Sequence, residues 1–276
     1  TINVVGNFIG IFIFHLGVLG VAIPTLIGRV VASIVMIVAL KKKDNMVTFS
    51  LRGIFPLSFP IIGLIVSISI PGALENFLFH FSKVAITSMV SSFGTSSIAA
   101  YGSASNFWAM SSICSMALGR CFVTVIGQCM GSGDKEAAKY YSSYLLRISF
   151  VFSVLWNVLL IILTPIVLAG YALTPETKSL TMIIVFIHNF AFALLCAVHS
   201  ALPNGLRAAG DVKWVMWASL FSTVVCRVFF SWLFGIKLGW GVIGITIAMV
   251  VDWSIKAIMV YLRYRSGTWL EKKVIK

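Results

Sequence analysis

The run IPGALENFLFHFSK, residues 70–83, places Glu75, Asn76, His80 and Lys83 within an almost wholly apolar segment. At about 100° per residue, Asn76, His80, Lys83 and Thr87 form one helical stripe, with Glu75 at its edge above Phe79, Ser82 and Ile86. Glu75 and Lys83 are separated by about 12 Å of helical rise, too far for direct neutralisation. Glu75 therefore needs a proton, a bound cation or a partner from another helix. A carboxylate whose protonation depends on the cation beside it can exchange an ion for a cationic solute. A purely structural ion pair is the alternative.

Other ionisable groups sit in apolar surroundings. Asp252 and Arg227 fall near the middle of adjacent antiparallel segments, and Lys256 follows Asp252 by one turn. An Asp252–Arg227 or an Asp252–Lys256 pair would neutralise the carboxylate. His188 and His199 are too far apart to share a metal and read as packing or cavity-lining groups. The five cysteines form no CxxC pair or ligand cluster and read as small packing residues. GQCMGSGDKEAAK lacks the GK[ST] ending of a phosphate loop and reads as a helix stop, with Asp134 capping the next helix. There is no GxSxG, no HExxH and no close carboxylate pair within a span, so no catalytic residue is assigned and no enzyme is expected.

These groups need helices to hold them. The chain has 276 residues, of which 59% are hydrophobic and 11% charged. Soluble domains carry about 25% charged residues, and the apolar runs here approach or exceed the roughly 20 residues that cross a bilayer. The expectation is all-α: a polytopic membrane helical bundle. Eight segments can be drawn, about 1–14, 18–40, 71–93, 98–130, 141–170, 178–203, 214–235 and 241–263. Residues 56–70, broken by Pro56, Pro60 and Gly63, read as an interfacial lead-in.

The net charge of +13 gathers in alternate connections. Lys41, Lys42, Lys43 and Arg52 lie in one, Lys135 and Lys139 in the next, Arg207 and Lys213 in the third. Arg263, Arg265, Lys272, Lys273 and Lys276 fill the tail. The positive-inside rule makes these sides and both chain ends cytoplasmic, and removes nucleic acid as the reason for the charge. The opening TINVVGNFIG starts inside an apolar helix, which reads as a truncated chain.

The run IPGALENFLFHFSKVAITSMVSSFGTSSIAAYGSASNF resembles the seventh and eighth helices of the multidrug and toxic compound extrusion (MATE) transporters. GQCMGSGDKEAAKYY is similar to the cytoplasmic segment that follows, LPNGLRAAGDVKWVMW to the join of helices ten and eleven, and LGWGVIGITIAMVVDW to helix twelve. NVVGNFIGIFIFHLGVLGVAIPTLIGRVV is similar to helices five and six.

The resemblance implies helices five to twelve of twelve. Residues 1–45 would be the last two helices of the first lobe, and 46–70 a cytoplasmic connection and interfacial lead-in. Residues 71–264 would be the second six-helix lobe, and 265–276 a basic cytoplasmic tail. It implies a plasma-membrane multidrug or organic-cation exporter working by antiport with Na+ or H+, through alternating access of two lobes. The full-length protein would be a monomer in the bilayer, carrying amphipathic or cationic small molecules.

By this resemblance Glu75 takes the cation-coupling position, with Na+ or H+ as its ion and Na+ at Glu75 as the one metal site considered. Asn76, His80, Lys83, Asn106 and His199 line the solute path, with Phe79 and Phe107 offering apolar or cation–π contacts. The family's second acidic position, about ten residues before the Leu206-Arg207 pair, is held here by Cys196 or a neighbour. A lipid-linked oligosaccharide flippase of the related superfamily, or a non-transporting membrane protein, are the other readings.

Overall fold

The computed structural model describes residues 2–40 and 58–272. Lys41, Lys42, Lys43 and Arg52, which carry the first basic connection, lie outside them, as do Lys273 and Lys276. Among the described residues there are helices and turns but no strand. Six helices are long and apolar enough to cross a membrane. A seventh joins them if the bent portions Phe59–Ser67 and Ser69–Ser91 count as one span. This is a polytopic helical membrane protein.

The chain forms two compact units, Thr1–Leu64 and Ile65–Lys276. In the first, α1 (Ile2–Ile13) is a short apolar helix whose last turn, Ile9–Ile13, is π-wound. It turns at His15 and Gly17, both at positive φ, into α2 (Leu19–Leu40). The two helices approach closely at Gly10 and Gly20: a Cβ on Gly10 would lie 2.4 Å from the Gly20 carbonyl oxygen. Small residues at such crossings let backbones touch where lipid supplies no hydrophobic drive. Asn3 reinforces the contact by donating to Thr25 Oγ1 at 2.9 Å.

The second unit is built from α3 (Phe59–Ser91) from Ile65 onward, α4 (Thr95–Gly131), α5 (Lys135–Ala169), α6 (Pro175–Ala208), α7 (Val212–Lys237) and α8 (Gly241–Arg265). Helix α3 begins twelve residues before the expected 71. Pro60 explains why the lead-in can be helical: in a first turn its missing N–H would have had no partner.

Short turns force up-and-down topology. At the α4–α5 turn Gly133 takes φ 79°, a conformation that costs a glycine little. Asp134 then caps α5 by accepting from the Ala137 N–H at 2.9 Å, as its sequence position predicts.

One core cluster joins Ile86 and Val90 of α3 to Tyr101 and Phe107 of α4, Leu168 of α5, Ile184 of α6 and Ile245 of α8. These residues come from the ends of α3 and α5 and the starts of α4, α6 and α8, so the cluster closes one end of the bundle. A second cluster, with Phe122, Ile126, Leu206, Val215, Val260 and Trp269, closes the other. Trp269 belongs to a 3-10 turn, Thr268–Glu271, that folds part of the expected tail back onto the bundle.

Candidate functional site

Between these two clusters the second unit forms a half-open cavity of about 600 Å3. Helix α3 lines it with Glu75, Asn76, Phe79, Lys83 and Ile86, and α8 with Met249, Asp252, Trp253 and Lys256. Helix α4 contributes Tyr101, Trp108 and Ser112 among others. Helix α6 contributes His188, Phe192, His199 and Ser200, and α7 contributes Ser219, Thr223 and Arg227.

The two histidines on α6 join an aromatic wall. The His188 ring stacks on Trp108 at 4.7 Å and meets Trp253 edge-on at 4.8 Å. His199 lies 5.2 Å from Trp253 and 5.4 Å from Phe192. His188 Nδ1 is 3.1 Å from Asn189 Oδ1, which also accepts from Ser111 Oγ at 2.7 Å.

Glu75 has a partner from another helix, one of the three solutions left open by the sequence. Arg207 Nη2 reaches both carboxylate oxygens, at 2.7 and 2.6 Å. Its Nη1 donates to Asn204 Oδ1 at 3.2 Å, and Asn204 donates to the Ser200 carbonyl at 2.9 Å. Sequence reasoning placed Arg207 in a basic loop. It is helical because α6 continues past Pro203 to Ala208. A π-turn at Ala197–Ala201 precedes Pro203, which occupies the start of the following α segment, Leu202–Ala208. The available signal was the unbroken LRAA after Pro203.

Asp252 is paired with Arg227, whose Nε and Nη2 both reach Oδ2, at 2.9 and 2.6 Å; Ser222 Oγ donates to Oδ1. Lys256 corrects the other expected pairing. With both oxygens of Asp252 already taken, it makes no ion pair within 4.0 Å among the described residues and faces the cavity instead. Arg227 also packs over the Phe79 ring, 5.6 Å from its centroid.

Of the residues expected along the path, Glu75, Asn76, Phe79, Lys83 and His199 come together at this cavity. His80 does not. It lies about 140° around α3 from Glu75, exposed, in a separate groove with Thr87, Ser88 and Ser91 that also touches Lys83. Asn106 is also outside, exposed on α4 about 140° from Tyr101. Phe107 is buried in the end cluster and offers the cavity no face. Trp108, Trp253 and Arg207 are the residues missed. Cys196, at the expected second acidic position, is buried beside Phe192 and Trp253. Among the described residues no group of three or more His, Cys, Asp or Glu could hold a metal ion.

The second unit is thus a bundle of long apolar helices with an aromatic-walled cavity. The chain belongs to the MatE family, which matches residues 71–233. It is 28% identical over 98% of its length to the "Uncharacterized transporter YisQ" of Bacillus subtilis (strain 168), covering 60% of that protein. It is 21% identical to the "Probable multidrug resistance protein NorM" of Thermotoga maritima, with 98% and 60% coverage. A solved outward-facing multidrug resistance MATE transporter of the MOP superfamily shares its fold: TM-score 0.86 and 22% identity, over 99% of this chain and 61% of that one. The chain thus spans about three fifths of the length of these relatives.

Proposed function

We propose that the protein exports amphipathic small molecules from the cell by antiport with Na+ or H+, and that Glu75 is its coupling group. Residues 1–45 would close the first lobe and 71–264 form the second. The lobes would rock about a cleft that includes the cavity, in the plasma membrane and with the described basic turns on the cytoplasmic side.

One observation carries the reading: a carboxylate in the cavity wall is held by a single interhelical clamp, Arg207. A proton on Glu75 would cancel its attraction for Arg207, and a Na+ ion would compete with the guanidinium for the same oxygens. A cationic solute could occupy the carboxylate once Arg207 lets go. Each event changes the bonding between α3 and α6, which is what a coupled two-state transporter needs.

The test is Glu75→Gln in the full-length protein, reconstituted in proteoliposomes under an imposed Na+ or H+ gradient. Gradient-driven efflux should disappear while expression and insertion are unchanged. Wild-type efflux by that variant removes Glu75 from the coupling role.

A further inference from the structure

The charges around the cavity do not balance in favour of a cation. Lys83, Arg227 and Lys256 face it against Glu75 and Asp252, and Arg207 stands directly behind Glu75. Every carboxylate oxygen of Glu75 and Asp252 already has a donor. Among the described residues neither Lys83 nor Lys256 has an ion pair.

Two further donors on the same walls are buried and unanswered. Trp108 Nε1, a donor only, has no acceptor, and Ser219 Oγ has no partner. A buried donor without an acceptor is unfavourable until something supplies one. Trp108, Trp253 and Phe192 line the cavity beside them and supply its apolar wall.

We propose that, while Arg207 is closed on Glu75, this cavity binds amphipathic organic anions: an aromatic or aliphatic body against the tryptophan wall, and a carboxylate, sulfonate or phosphate ester on Lys256 and the Trp108 N–H. The proposal rests on the reading that this cavity is the solute path, and it narrows the class of solute. Binding of the anion is a charge-assisted recognition with no bond made or broken. A cationic amphiphile entering the same state meets two ammonium groups that have no ion-pair partner and, among the described residues lining the cavity, no carboxylate oxygen without a donor.

The experiment uses two probes with one ring system and opposite charge, naphthalene-2-sulfonate and 2-naphthyltrimethylammonium. Both are titrated into the purified full-length protein by calorimetry at low salt. The sulfonate should bind about tenfold or more tighter than the ammonium probe. Lys256→Gln should weaken the sulfonate by about tenfold and leave the ammonium probe unchanged or tighter; Lys256→Arg should restore the preference.

Trp108→Phe, which keeps the ring and removes the N–H, should weaken the sulfonate alone. It carries the test if Lys256→Gln does not fold. Tighter binding of the ammonium probe by the wild type overturns the proposal, as does an equal loss of both probes in these variants. Flux in proteoliposomes separates the two readings. Sulfonate binding without gradient-driven flux of either probe leaves the anion site standing and sinks transport through it. Driven flux of the ammonium probe alone does the reverse.

Discussion

Arg207 grips both carboxylate oxygens of Glu75 across 132 positions of sequence, joining α3 to the last turns of α6. The pair is partly buried, with side-chain exposures of 28% for Arg207 and 19% for Glu75. It is therefore neither a screened surface bridge nor a fully sealed one.

Such a pair should behave as one unit. Removing either charge should cost stability, and removing both should cost less than the sum. The expected coupling in a Glu75→Gln, Arg207→Gln double-mutant cycle is about 1 kcal/mol or more. Thermal midpoints of the four detergent-solubilised proteins measure it, and strict additivity would show that the contact carries no energy.

Asp252 and Arg227 set a harsher case, because Asp252 is 1% exposed and Arg227 9%. Asp252→Asn leaves a buried guanidinium without its counter-charge and should destabilise by roughly 3–5 kcal/mol. Replacing both, Asp252→Leu with Arg227→Met, should recover most of that loss. Unfolding followed by near-UV circular dichroism tests the order; a single variant as stable as wild type contradicts it.

Helix packing makes a purely steric prediction. A Cβ on Gly244 would sit 2.6 Å from the Phe234 carbonyl oxygen, a backbone atom that cannot rotate away. Gly244→Ala should push α7 from α8 and destabilise by about 1–3 kcal/mol. Gly127, on α4, has nothing within 4 Å of its would-be Cβ. Gly127→Ala should be neutral or stabilising by up to about 1 kcal/mol. Equal thermal shifts for the two would refute the assignment.

The chain past α8 should matter more than a tail. Trp269 is 1% exposed, donates from Nε1 to the Tyr264 carbonyl at 3.0 Å and packs in the second end cluster. Arg263, six residues earlier in the last turn of α8, binds Asp211 at 2.6 Å. Trp269→Ala should cost roughly 3–5 kcal/mol and show faster amide exchange around Val215 and Val260. Unchanged exchange there would mean that the turn only rests on the surface.

Much of the fold could be read directly from the chain. Apolar runs between basic connections located α2 and α4–α8, and Asp134 announced the start of α5. Sequence position offered both Arg227 and Lys256 as partners for Asp252, and the structure pairs it with Arg227. The site was legible on α3 only to within part of a helical turn: the stripe centred on Asn76 and His80 is in fact centred nearer Phe79 and Lys83. Phase alone cannot say where neighbouring helices stand, and a rotation of about 60° decides whether His80 is inside or outside. Arg207 was hidden for a different reason. Proline and glycine in LPNGLR carry the usual marks of a loop, and only tertiary packing, through Leu202 and Leu206 in the end cluster, holds that segment helical. Trp108 and Trp253 gave no sign because a tryptophan in an apolar run looks the same facing lipid or facing a cavity.

The π-turn at Ala197–Ala201 works as a phase setter. Deleting Asn204 or Gly205, which lie between it and Arg207, would swing that guanidinium by about 100° around the axis, off the Glu75 carboxylate, and would turn Leu206 relative to the end cluster by the same angle. The length of this stretch, more than its composition, then decides which side chain Glu75 meets.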